Sequence, residues 1–160
     1  MGVMKTGLAV LTATLLGATA AGAAQQEFTA KLDGPSEVPK VQSKAAADAT
    51  FTVLPDGTKI EYTLMVRDLS DITMAHIHLG TAGKNGPVVA RLYPLSGTSK
   101  LIKGRDNGQL AKGDITEASL LGPEKGKPLS TLVKAIQDGD AYVNIHTAEH
   151  KAGALRGQIK

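Results

Sequence analysis

Along most of this chain apolar and polar positions alternate with a period of two, the signature of strands that bury one face. Phe28, Ala30 and Leu32 share one parity in EFTAKLDG, and Ile60, Tyr62, Leu64 and Val66 share one in KIEYTLMV. Between ATFTV and KIEYTLMV, Leu54-Pro55-Asp56-Gly57 carries the residues of a tight hairpin turn, so these two strands are expected to pair antiparallel. Further strands are expected at Thr73 to Leu79, Val88 to Tyr93, Ala141 to Thr147 and Ala154 to Ile159, with a weaker one near Gly113 to Leu120. One segment breaks the rule. Leu129, Leu132, Val133 and Ile136 follow helical spacing, with Ser130 near the start and Gly139 past the end, and predict a short helix over Leu129 to Gln137. Short strands divided by Gly and Pro turns predict an all-β fold, an antiparallel Greek-key sandwich or barrel with one short helix.

The first 24 residues depart from this pattern. Lys5, the apolar stretch from Gly7 to Gly17 and the small residues Ala21-Gly22-Ala23-Ala24 read as a cleavable export signal, residues 1–24. The apolar run is shorter than the ~20 residues a membrane span needs. The expected mature chain is one domain over residues 25–160, periplasmic or secreted, with no membrane association once the signal is gone. The absence of cysteine rules out disulfides and thiolate ligands. Loss of Lys5 leaves 17 basic and 15 acidic side chains out of the 18 and 15 of the whole chain. Such a small and dispersed excess, with only five aromatic residues, argues against a nucleic-acid partner.

The candidate chemistry lies in the four histidines, confined to MAHIHLG (His76, His78) and YVNIHTAEHKAG (His146, His150). Imidazole is the commonest metal-ligating side chain. Residues two apart on a strand share a face, so Met74, His76 and His78 point one way while Ala75, Ile77 and Leu79 point to the core. The two histidines should lie on the outer face, about 7 Å apart along the strand. The same parity sends Val143 and Ile145 inward and Tyr142, Asn144 and His146 outward. Three imidazoles on one sheet face suit copper, with zinc also possible. The expected ligands are His76, His78 and His146, with His150 auxiliary. Met74 is either a soft ligand or a packed side chain. Arg156 has outward parity and either approaches the cluster, where it would bind an anion or Glu149, or is solvated. Glu37, Asp48 and Asp114 are unassigned carboxylates. Neither a G-x-S-x-G elbow nor a phosphate-binding glycine loop occurs.

FTAKLDGPSEVPKV, AHIHLGTAGKNGPVVARL and AYVNIHTAEHKAGALRGQI, in this order, resemble the CHRD domain family, named after chordin. The resemblance spans nearly all of residues 26–160 and implies an all-β Greek-key sandwich; it says little of activity. A weaker likeness is to Cu,Zn superoxide dismutase. His76, His78 and Gly80 match its copper strand, His146 a later copper ligand, and Arg156 a later arginine. The bridging histidine, the zinc subsite and the cysteine pair of that enzyme have no counterparts, so copper binding is implied more than dismutation. Three functions follow in order. The first is an exported copper-binding protein that stores, buffers or passes the ion to a protein partner, without turnover. The second is an extracellular interaction module with structural histidines. The third is a copper redox enzyme resembling a dismutase.

Overall fold

The computed structural model describes residues 1–2 and 24–160, so nearly all of the expected export signal lies outside the described residues. The elements run β1 (Gln26–Asp33), β2 (Ala46–Val53), β3 (Lys59–Leu79), β4 (Val88–Tyr93), β5 (Ile102–Thr116), α1 (Leu129–Gln137), β6 (Ala141–Thr147) and β7 (Leu155–Gln158). Strand order β2-β1-β7-β6-β3 closes because β2 also pairs with β3, giving an all-antiparallel barrel. Closure removes the free edges that an open sheet of this size would expose. β4 and β5 extend the sheet from β3 beyond the ring.

Alternation is what fills the barrel. Ala30, Leu32, Ile60, Leu64, Ala75, Ile77, Val143, Ile145 and Leu155 lie in one buried cluster, on the parities the sequence predicts, and Phe51 and Ile72 join them. The predicted hairpin is present: Val53 faces Ile60, Gly57 takes a left-handed φ of 69°, and the Asp56 carboxylate accepts the Thr58 N–H. Helix α1 occupies the predicted span and buries Leu129, Leu132 and Ile136. Ser130 is not its cap, however; the N-cap position is Pro128, and the C-terminal end runs into Gly139 at φ 78°.

Two strand assignments need correction. The segments ending at Val66 and beginning at Thr73 are one 21-residue strand, β3. The polar stretch Arg67-Asp68-Leu69-Ser70-Asp71 interrupts the apolar alternation without interrupting backbone pairing. Asp68 and Asp71 adopt left-handed φ values of 55° and 53°, register shifts flank them, and the Asp71 carboxylate accepts the Gly104 N–H. Bulges of this kind bend a strand and strengthen its twist, letting β3 run from β2 and β5 at one end to β6 and β4 at the other. Strand β5, in turn, covers Ile102–Thr116 rather than Gly113 to Leu120, whose last residues enter a 3-10 turn at Glu117–Ser119. Most of β5 is polar and part-exposed because it pairs with β3 alone, through backbone hydrogen bonds that leave no hydrophobic periodicity.

Candidate metal centre

Register puts the chemistry-bearing residues on one face. Across β3 and β6, Met74 faces His146, His76 faces Asn144 and His78 faces Tyr142; β7 continues two of these rows with Arg156 opposite Asn144 and Gln158 opposite Tyr142. On the other side of β3, Arg91 of β4 faces His76. The parity argument therefore holds as to which residues share a surface.

That surface is not an open outer face. His76 is 8% exposed, His146 7%, Asn144 3%, Tyr142 2% and Arg156 2%. Two loops cover it. The β1–β2 loop sends Glu37 onto the Asn144 amide. The β3–β4 loop is held by Arg156, which donates to the carbonyls of Thr81 (2.9 Å) and Lys84 (2.8 Å) and to Asn85 Oδ1 (3.0 Å). Asn85 Nδ2 donates to the Val38 carbonyl and ties the loops together. Loop conformation cannot be read from strand parity, which is why the sequence shows the face but not its lid.

Beneath these loops one nitrogen from each of His76, His78 and His146 lies within 4.8 Å of the others. His78 Nδ1 donates to the Gly86 carbonyl at 2.9 Å, and His146 Nδ1 to the Lys151 carbonyl at 3.0 Å. In a neutral imidazole the other nitrogen is then a lone pair. His146 Nε2 lies 3.3 Å from His76 Nδ1, which must donate to it in the absence of a cation. His78 Nε2 is buried with no hydrogen-bond partner among the described residues. Leaving such an atom unpaired costs about 1–3 kcal/mol, and its lone pair is of the kind that a cation would satisfy. Backbone carbonyls that fix the tautomer of a ligating histidine are the usual second layer of a metal site.

Electrostatics favour neutral rings. Burial lowers His76 to about 4, helped by His146, His78 and Arg91. Burial also lowers His78, against the opposing bond to Gly86, and His146, against the bond to Lys151. Neutral imidazole is the form that binds metal.

The structure brings together three of the four histidines. His150 lies outside the cluster, its side chain 38% exposed and its Nε2 3.9 Å from Glu149. Met74 is half-buried on the same face, directly opposite His146. Arg156 neither meets the histidines nor pairs with Glu149. Its guanidinium lies 3.5 Å from the centre of the Tyr142 ring, and the ring's other neighbour is His78, stacked at 5.0 Å with planes 14° apart. Glu37 is drawn into this layer, with its carboxyl raised above the usual range by burial, whereas Asp48 pairs with Arg67 and Asp114 with Lys59 far from the histidines. Sequence reasoning missed Gly86, Arg91 and the role of Tyr142. Only the parity of Tyr142 with His146 pointed toward any of them.

Comparison with known families matches the CHRD domain over residues 28–159. The chain belongs to the CHRD family. Searches of curated proteins and of solved structures returned no match. In this CHRD domain the matched residues contain every strand but the start of β1, together with all four histidines, both covering loops and Arg91. The closed antiparallel barrel is the all-β architecture that the family resemblance implied.

Proposed function

We propose that this CHRD protein is an exported copper-binding protein, periplasmic or secreted, that stores, buffers or hands on the ion through His76, His78 and His146. One observation carries the reading: three imidazoles converge under the loops, two of them held by backbone carbonyls at Nδ1, which leaves their Nε2 lone pairs free to ligate. An interaction module with structural histidines has no use for a buried, unpartnered Nε2 on His78. An all-imidazole set favours copper over zinc, since affinity for nitrogen ligands peaks at Cu(II), and Met74 beside His146 adds a soft atom to the surroundings. Export is supported by the leader-like first 24 residues and by the occurrence of CHRD domains in extracellular proteins. Holding the ion beneath two tied loops suits retention and controlled release more than rapid turnover.

Electron paramagnetic resonance of the Cu(II)-loaded protein tests the ligand set. The spectrum should show coupling to imidazole nitrogens that changes in His78→Ala, whose side chain would no longer ligate. A spectrum indifferent to His78→Ala would remove that residue from the site and the carrying observation with it.

A further inference from the structure

Arg91 stands apart from every other arginine of the described residues. Arg67 pairs with Asp48, Arg105 with Asp68, and Arg156 with loop carbonyls, Asn85 and Tyr142. Among the described residues Arg91 has no carboxylate within salt-bridge distance, and its Nε is buried without a hydrogen-bond partner. It sits on β4 directly opposite His76, on the histidine face, close enough for its charge to bear on that ring.

Charge balance makes this pairing informative. Three neutral imidazoles bring no negative charge to a divalent cation, and the guanidinium adds a further positive one. The buried carboxylates among the described residues are Glu37 and Glu124; the first is bonded to Asn144, the second to Lys127 and Thr131. An uncompensated cluster of positive charge in a covered site is costly, and an unmade bond from a buried donor adds to the cost. A small anion answers both. Bound to the metal's remaining position, it would accept from Arg91 and offset the excess charge. An acidic protein side chain suits the site less well, because the orphaned Nε lies below the surface.

We infer that Arg91 and the three histidines form a composite site for a small inorganic anion, which binds as an additional ligand of the metal and is held by the Arg91 guanidinium. This rests on the metal-binding reading above.

Azide is a suitable probe, because its bond to Cu(II) gives a charge-transfer absorption. The purified protein, Arg91→Gln and Arg91→Lys would each be titrated with Cu(II) in buffer free of coordinating anions, and the loaded forms then titrated with azide. Charge-assisted hydrogen bonds of this kind predict azide binding weakened about tenfold or more in Arg91→Gln and partly kept in Arg91→Lys. In that buffer Cu(II) affinity should be kept or strengthened in Arg91→Gln, which loses a positive charge beside the cation, and kept in Arg91→Lys, since Arg91 is not a metal ligand. Equal azide affinity in all three loaded proteins, or no azide band in the parent, overturns the anion site and leaves the metal site standing. Failure of the parent protein to bind Cu(II) overturns both.

Discussion

Tyr142 lies flat on His78, ring centres 5.0 Å apart, while its hydroxyl accepts the N–H of Gly86, the residue whose carbonyl holds His78 Nδ1. One side chain thus fixes both the plane of a candidate ligand and the backbone group that sets its tautomer. Tyr142→Phe keeps the stack and removes the bond to Gly86. It should cost about 1 kcal/mol of stability and lower copper affinity by roughly tenfold, the scale of second-layer changes at metal sites. Chemical denaturation and a copper competition assay read the two effects; unchanged copper affinity would detach Tyr142 from the site.

Gly86 has a steric reason for its identity. A Cβ there would lie 1.6 Å from the Leu79 carbonyl oxygen. Gly86→Ala must therefore displace the β3–β4 loop and take the acceptor away from His78. A stability loss of roughly 2 kcal/mol or more is expected, with copper affinity reduced about 10–100-fold. Wild-type affinity in a folded Gly86→Ala protein would show that the Gly86 carbonyl is dispensable to His78.

His150 offers the opposite test. Standing outside the cluster and part-exposed, it should tolerate replacement. His150→Ala is expected to change copper affinity less than about threefold and stability by no more than about 0.5 kcal/mol. A large loss in isothermal titration would return His150 to the ligand set.

Acid should destabilise the metal-free protein through its histidines. Folding lowers His76 from 6.5 to about 4 and lowers His78 and His146 as well. Below about pH 6.5 the unfolded chain therefore binds protons that the folded chain refuses. The contribution of these rings is complete above about pH 6.5 and is lost as pH falls toward about 4, so Tm should drop across that window. His76→Ala should flatten the profile. A Tm that rises on acidification through this range, or a slope that His76→Ala leaves unchanged, would contradict the depressed values.

Much of this was written in the alternation of the sequence. Ile77 and Val143 had to enter the core, so His76, His78 and His146 had to share the other face, and the structure places them there. The same parity put Arg156 on that face but could not say what it touches, because strand order is a property of the closed barrel. β7 lies beyond β6, which leaves Tyr142 between Arg156 and His78. Arg91 was overlooked for the same reason, since nothing local in PVVARL announces that β4 pairs with the histidine end of β3. The covering loops follow from hydrogen bonds between residues distant in sequence, such as Glu37 with Asn144 and Asn85 with Val38. Polar strand β5 and the bulged middle of β3 are held by backbone pairing, which carries no hydrophobic period.

The central claim is that His76, His78 and His146 form one copper site. Its most direct test is titration of the metal-free protein with Cu(II), and with Cu(I) under reductant, beside the His76→Ala/His146→Ala double variant. Tight binding of one ion per chain in the parent, abolished in a double variant that remains folded by circular dichroism, is the result expected. Equally weak binding by both proteins would contradict the account and leave an extracellular interaction module as the better description.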